Sequence, residues 1–234
     1  MFSLSEKIDL FQGQHSVSYQ DVLTHVFPLL TESRQKKISQ VVQDRCFQIP
    51  VVLEGIYDRG NISAVMRSAE GLGFGAFHVI ETFEKFKEAN RVTQGADKWL
   101  EVKKWKSTKD CVAELKKNKI RICVTSLEAS KPLQDIDFST PLALVLGNEK
   151  SGVSAEMLEA ADERVILPMP GFVQSFNISI AGAISLYHIW LSRQKQLGKN
   201  ADLTEHQQQI LKAYYAMRTL DSAESILKNK LGLN

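Results

Sequence analysis

Five apolar residues without a polar break, Leu142 to Leu146, end abruptly at Gly147. A strand with one wet face alternates polar and apolar residues. An unbroken apolar run therefore predicts a strand covered on both sides, as in a parallel sheet between layers of helices. The polar loop Asn148-Glu149-Lys150-Ser151-Gly152 follows. A second short run, Val165 to Leu167, stops at Pro168-Met169-Pro170-Gly171, and Gln174-Ser175-Phe176-Asn177 opens a helix rich in Ser, Ala and Gly. Open parallel sheets bind ligands at the carboxyl ends of their strands. This segment builds two such ends in quick succession.

The remainder of the chain suits the same α/β architecture. Tyr19 to Leu30 reads as a short helix, and Glu32 to Arg45 as a longer one capped by Thr31. Val51-Val52-Leu53 predicts a buried strand. Asp58-Arg59-Gly60-Asn61 is turn chemistry, with Gly60 free to take a positive φ and Asn61 or Ser63 able to cap a helix from Ala64 to Glu70. Gly71 would stop that helix. Gly75 to Ile80 predicts the next strand, Lys85 to Trp105 a stretch that is partly loop, Thr108 to Lys117 a helix and Arg121 to Thr125 a strand. Leu203 to Leu231 predicts two helices, with Thr204–Gln207 and Asp221–Glu224 at capping-box spacing. The expected organisation is a helical N-terminal extension over residues 1–45, an α/β domain over 46–195 and a helical C-terminal extension over 196–234.

Charge is unevenly spread. Thr82 to Arg121 carries 12 Lys/Arg and six Asp/Glu, Ile122 to Leu191 three against eight, and Ser192 to Asn234 seven against four. A basic middle and tail around an acidic centre suit a polyanionic partner, although solvated lysine faces on helices give the same pattern. No apolar run approaches the roughly 18 residues of a membrane span. The start, MFSLSEKIDLFQGQ, lacks the basic region and apolar core of a signal peptide. Cys46, Cys111 and Cys123 are far apart and odd in number, which speaks against a disulfide framework, a zinc site or an iron–sulfur cluster. The expected setting is the cytoplasm, with no membrane and no metal.

Single residues carry little chemistry by themselves. Gly71-Leu72-Gly73-Phe74-Gly75 follows a predicted helix and precedes a predicted strand, the reverse of the dinucleotide fingerprint. No catalytic triad or HExxH motif is present, and the five histidines are scattered; His188 reads as a packing residue on an apolar helix face. Glu149 at a strand end suits either a solvated surface or a cap. Ser175 and Asn177 suit helix N-caps, and Arg67 suits a surface pair with Glu70.

Taken in order, three segments say more. They are Gly60-Asn61-Ile62-Ser63-Ala64-Val65-Met66-Arg67, then Leu144 to Val153, then Ile166-Leu167-Pro168-Met169 with Val173-Gln174-Ser175-Phe176-Asn177-Ile178-Ser179. Together they resemble the three motifs of the SpoU/TrmH branch of the SPOUT superfamily of RNA 2′-O-ribose methyltransferases, over roughly Thr31 to Gln194. Within that branch the chain is similar to the tRNA guanosine 2′-O-methyltransferases that act on the D-loop. The helix before the first strand, the Lys98-Trp99 pair and the C-terminal extension carry that part of the likeness.

The resemblance implies a parallel α/β sheet with a C-terminal trefoil knot. It implies S-adenosyl-L-methionine as cofactor, held by loops at Thr125, Leu127, Gly147, Leu167 and Phe176. It implies catalytic roles for Arg67, Asn61, Glu149, Ser175 and Asn177. Arg67 would stand near the 2′-hydroxyl and the adjacent phosphate, Asn61 would order that site, and the other three would shape the pocket. A guanidinium stays charged at neutral pH, so the implied role of Arg67 is electrostatic. The resemblance also implies a homodimer. The basic helices Thr31 to Arg45 and the tail, with Lys212, Arg218, Lys228 and Lys230, would hold tRNA phosphates. The alternatives are a ribosomal RNA 2′-O-ribose methyltransferase on the same scaffold and a non-catalytic RNA-binding assembly factor. Two departures stand out: Tyr57-Asp58-Arg59-Gly60 where relatives more often carry a His-Lys-Pro-His type of sequence, and Phe176 in place of a leucine. Ala181, Gly182, Ala183 and Ser185 suit either close approach of another helix or packing within one subunit.

Overall fold

A computed structural model describes residues 2–81, 95–128, 131–148 and 151–233. Of the stretch from Lys85 to Trp105 expected to be partly loop, residues 85–94 lie outside the described residues, and the remainder holds a 3-10 turn, Ala96–Trp99, and the strand Glu101–Trp105. The chain forms two compact units, one of Cys46–Asn200 and one of Phe2–Arg45 with Ala201–Asn234.

In the terminal unit, β1 (Lys7–Leu10) and β2 (His15–Ser18) form an antiparallel hairpin that the sequence pattern did not signal. Its turn uses Phe11, Gln12 and Gly13, all at positive φ, so the usual glycine-asparagine turn signal is diluted. Ser18 and Asp21 make a reciprocal capping box on α1 (Tyr19–His25). The expected helix to Leu30 breaks into α1 and a short 3-10 turn, Phe27–Leu29, because Pro28 has no N–H to continue the ladder. The second helix, α2 (Glu32–Gln43), starts at Thr31, whose side chain accepts from Arg34 N at 3.3 Å.

The central unit is built from β3 (Val51–Glu54), α3 (Arg59–Gly71), β4 (Ala76–Ile80), β5 (Glu101–Trp105), α4 (Thr108–Lys117) and β6 (Arg121–Thr125). It continues through β7 (Lys131–Pro132), β8 (Leu142–Leu146), α5 (Ala155–Ala160), β9 (Glu163–Ile166) and α6 (Ile178–Leu197). The tail returns to the terminal unit as α7 (Glu205–Thr219) and α8 (Ala223–Leu231). Thr204 and Gln207 form the expected capping box on α7, whereas α8 is preceded by Ser222 with no side-chain cap rather than by an Asp221–Glu224 box.

Among the described residues the central sheet has seven strands in the order β5-β4-β3-β8-β6-β9-β7, and every pairing is parallel. This is the parallel α/β fold that the run at Leu142 predicted. Its two faces explain the missing alternation. On one side Val51, Leu53, Leu144 and Leu146 pack with Ile62, Val65 and Met66 of α3 and Leu186 and Ile189 of α6. On the other, Val52, Val124, Ala143 and Val145 pack with Cys111 and Leu115 of α4 and Met157 of α5. Each fully buried Leu or Val contributes about 1.5–3 kcal/mol, so a charge at Val145 would break the second layer. Burial pushes the thiols of Cys111 and Cys123 up to about 12, leaving them protonated packing groups.

One boundary needs correction. Helix α3 begins at Arg59, not at Ala64, because Asp58 is the cap: its carboxylate accepts from Gly60 N at 2.7 Å. Neither Asn61 nor Ser63 caps it, and Gly60 lies inside the first turn without a positive φ. Asn61 is thereby placed in the opening turn of the helix. At the far end of the unit, α6 runs past Trp190 to Leu197 and stops at Gly198, φ +71°. There the buried guanidinium of Arg193 donates to Phe138 O at 2.7 Å and to Asn200 Oδ1 at 3.1 Å. Asn200 donates in turn to Leu72 O.

Candidate active site

Strands β8, β6 and β9 lie side by side, and their carboxyl ends open on one cavity of about 180 Å³. Thr125, Ser126 and Leu127 line it from the end of β6; Gly147, Asn148 and Gly152 from the loop after β8; Val165, Ile166, Leu167 and Met169 from the end of β9. Gln174, Ser175, Phe176, Ile178 and Ala181 close it from the start of α6. Its wall is apolar side chain and main chain, with uncharged Thr, Ser, Asn and Gln groups among the described residues.

Gly147 is dictated by a close approach rather than by a turn. A Cβ there would stand 2.3 Å from Gly152 C and 2.4 Å from Val153 N, inside any real contact distance. The loop doubles back on itself at that point. Asn148 and Gly152 exchange both backbone hydrogen bonds at 2.8 Å, with Gly152 at φ +68°. The buried Asn148 side chain donates to Gly55 O at 2.9 Å and accepts from Ser151 N at 3.2 Å. Sequence reading identified Gly147 and overlooked Asn148, although a polar residue directly after a fully buried strand marks where a loop is tied down.

Asn177 has both of the roles its type allows. Its Oδ1 caps α6 by accepting from Ser179 N at 2.9 Å, and its Nδ2 donates to Asn61 Oδ1 at 3.2 Å. The second contact joins the opening turn of α3 to the start of α6, beside the cavity wall made by Phe176 and Ile178. Ser175 is not a cap; it is exposed and lines the cavity. Arg67 follows Asn61 along α3 by about 9 Å at helical rise. It is exposed, does not line the cavity, and forms no ion pair with Glu70 among the described residues. Glu149 lies outside the described residues. Thr125, Leu127, Gly147, Leu167 and Phe176 all line this one cavity.

The cavity fits an adenosine-type ligand on its own chemistry: main-chain groups at three strand ends, an apolar lining and neutral hydrogen-bonding groups. His188 is a packing residue, its ring 6.1 Å from that of Phe138 and its Nε2 3.3 Å from Ser192 Oγ. Among the described residues, no group of three His, Cys, Asp or Glu side chains is arranged to hold a metal ion, and no helix is long and apolar enough to cross a membrane.

Comparison with known proteins gives the geometry a context. The model of the SpoU rRNA Methylase family matches residues 48–187. A tRNA (guanosine(18)-2′-O)-methyltransferase of Borreliella burgdorferi is 36% identical over 179 residues, covering 75% of this chain and 82% of its own. The crystal structure of the A. aeolicus TrmH/SpoU tRNA modifying enzyme superposes with a TM-score of 0.72 at 30% identity, covering 80% of this chain and 98% of that one. An AdoMet-bound rRNA methyltransferase from Sinorhizobium meliloti superposes with a TM-score of 0.58 at 25% identity, covering 68% and 60%.

Proposed function

The chain belongs to the SpoU rRNA methylase family, and from that premise we propose that it is an S-adenosylmethionine-dependent methyltransferase acting on the ribose 2′-oxygen of guanosine(18) in the tRNA D-loop. The observation that carries this reading is a convergence. Loops from β6, β8 and β9 line one cavity, and directly beside it Asn177 reaches back to Asn61. The substrate assignment is supported by the relatives that cover most of this chain, which act on tRNA by name.

S-adenosylmethionine, when bound, supplies a methyl group on a sulfonium. Thr125, Leu127, Gly147, Leu167 and Phe176 would hold its adenosine moiety. Gly147 leaves room for the loop to fold back, and the apolar lining keeps water from competing for the main-chain groups. Asn61 and Asn177 fix the starts of two helices against each other. The ribose is thereby presented to a rigid wall, and positioning of this kind removes several kcal/mol of a barrier. Arg67 would grip the phosphate next to the target ribose through its planar fork and stabilise negative charge developing on the 2′-oxygen. Ser175 offers a hydroxyl at the cavity mouth, and Glu149 is assigned to the same site by its motif position.

We assign methyl transfer to residues 46–195 and contacts with the tRNA body to the helical extensions, 1–45 and 196–234. Lys212, Arg218, Lys228 and Lys230 would engage phosphates there. The segment from β9 through α6 is read as a trefoil knot, supported by the likeness to the A. aeolicus enzyme. A second copy of the chain is assigned to the exposed face of α6. With a tRNA substrate, the protein is assigned to the cytoplasm.

The test is transfer of labelled methyl from S-adenosylmethionine to unmodified tRNA and, in parallel, to ribosomal RNA, with nuclease mapping. The reading expects 2′-O-methylguanosine in the tRNA D-loop, lost in Arg67→Ala. Label confined to ribosomal RNA would overturn the substrate, and no label in either would overturn the activity.

A further inference from the structure

A carboxylate that the reaction chemistry does not call on sits beneath the site. Glu54 ends β3 and is 2% exposed. Its Oε2 accepts from Ser154 N at 2.8 Å, and its Oε1 accepts from Ser154 Oγ at 2.7 Å and from Thr108 Oγ1. A buried carboxylate is costly unless its lone pairs are satisfied. Among the described residues these three donors do so without a cation. A glutamine that keeps its oxygen toward Ser154 N turns its N–H₂ toward the two hydroxyls, which must then accept rather than donate, and Ser154 Oγ already accepts from Met157 N at 3.1 Å.

The position of those donors matters more than their number. Ser154 is where the loop after β8 ends and α5 begins. That loop starts at Gly147 and Asn148, and Asn148 is held by the carbonyl of Gly55, the next residue after Glu54. Both ends of the cavity-wall loop are thus stapled to one dipeptide, with the Asn148–Gly152 pair closing the loop between them. Four residues beyond Glu54 the same strand exit reaches Asp58, which caps the helix that carries Asn61 and Arg67.

We propose that Glu54 is a positioning residue for methyl transfer. By clamping Ser154 it sets the loop wall formed by Gly147, Asn148 and Gly152, and so fixes the cofactor cavity against the helix that carries Asn61 and Arg67. Supporting groups behind a binding wall set its precision even where they touch no ligand. The proposal rests on the reading of the cavity as the S-adenosylmethionine site.

The experiment compares wild type, Glu54→Gln, Ser154→Ala and Thr108→Val in the full chain. Calorimetry with S-adenosylhomocysteine gives the cofactor Kd, and steady-state assays with unmodified tRNA give kcat and KM. Glu54→Gln is expected to weaken the Kd about tenfold and lower kcat while leaving KM for tRNA within about twofold. Ser154→Ala should weaken the Kd less, in the same direction. Thr108→Val removes a hydrogen bond to the same carboxylate from the α4 side; it should lower Tm and leave the Kd unchanged. Glu54→Gln with a lower Tm but an unchanged Kd and kcat overturns the proposal, because the residue is then purely structural. If that variant does not fold, an unchanged Kd in Ser154→Ala has the same force, and a weakened one supports the proposal. Wild type that binds no S-adenosylhomocysteine overturns the reading of the cavity and this proposal with it, a result distinct from binding wild type with indifferent variants.

Discussion

Asn177 Nδ2 and Asn61 Oδ1 meet at 3.2 Å across 116 residues of sequence, tying the start of α6 to the opening turn of α3. Asn177 also caps its own helix through Ser179 N. Its removal should therefore cost more than the removal of Asn61. A lost cap contributes about 1 kcal/mol and a lost neutral hydrogen bond about 0.5–1.5 kcal/mol. In a double-mutant cycle of Asn61→Ala and Asn177→Ala, followed by urea unfolding, we expect a coupling of about 0.5–1.5 kcal/mol and Asn177→Ala as the more damaging single change. Strict additivity would show that the contact carries no stabilisation.

Gly147 separates a steric role from a conformational one. Its φ is not positive, so an alanine has no backbone penalty, yet the new methyl would meet Gly152 and Val153 backbone at 2.3–2.4 Å. Backbone cannot swing aside as a flexible side chain can. Gly147→Ala should push the 148–152 clasp open, costing about 1–3 kcal/mol in stability as other overpacked sites do. It should abolish S-adenosylhomocysteine binding while far-ultraviolet circular dichroism is retained. Binding within twofold of wild type would place the loop outside the cofactor wall.

His78 gives the protein an acid-sensitive core. It is 3% exposed on β4, with Cys111 Sγ 3.9 Å from its Nδ1 and the Trp105 ring beside it. Burial, with a smaller push from Lys103, lowers its pKa from 6.5 to about 3. Above pH 6.5 the ring is neutral in the folded and unfolded chains alike and adds no pH dependence. Between 6.5 and 3 the unfolded chain takes up a proton that the folded one refuses, so stability falls as pH falls, by up to about 1.4 kcal/mol per unit. Urea unfolding at pH 7.5 and pH 4.5 should show His78→Leu spared roughly 2–3 kcal/mol of the loss seen in wild type. Equal losses would mean that another group controls the acid limb.

How much of this was legible in the sequence depends on the length scale of the cause. The unbroken run at Leu142–Leu146 predicted a parallel sheet because a strand buried on both faces has no other pattern, and the two helix layers bear it out. Two of the three strand ends that form the cavity, those of β8 and β9, followed from the same reasoning, and the end of β6 came from the family resemblance. The start of α3 was misjudged because Asp58, Asn61 and Ser63 are all competent caps, and choosing among them needs the path of the chain into the helix. The hairpin of β1 and β2 was missed because its turn, Phe11-Gln12-Gly13, lacks the usual glycine-asparagine signal, and the two-residue β7 because it pairs only with β9, distant in sequence. Glu54 escaped notice for a similar reason: a lone acid after Val-Val-Leu looks like a strand end meeting water. Only the fold shows Ser154 waiting for it 100 residues later. Within α6, composition left open whether the small residues serve close approach of another helix or packing within one subunit. The structure turns Gly182 and Ser185 inward, where a Cβ at Gly182 would stand 3.0 Å from Val65.

The outward face of α6 carries the last prediction. Ile180, Ile184, Tyr187 and Leu191 recur at spacings of four, three and four, the period of one helical face, and are 40–52% exposed. Tyr187 is further held against Trp190, their rings stacked with centroids 5.9 Å apart. Scattered exposed apolar residues need no explanation, but a continuous apolar stripe on a helix marks a surface that another protein covers. A second copy of the chain is the occupant assigned here, and a two-fold arrangement would lay the stripe against itself, apolar against apolar. A carboxylate at the centre of such a contact has no partner and would be desolvated, a cost of several kcal/mol. Ile184→Asp, exposed in the monomer, should leave helix content and the cofactor Kd unchanged and shift the sedimentation coefficient from dimer to monomer. A dimer that survives Ile184→Asp at micromolar concentration would mean that the two copies meet elsewhere.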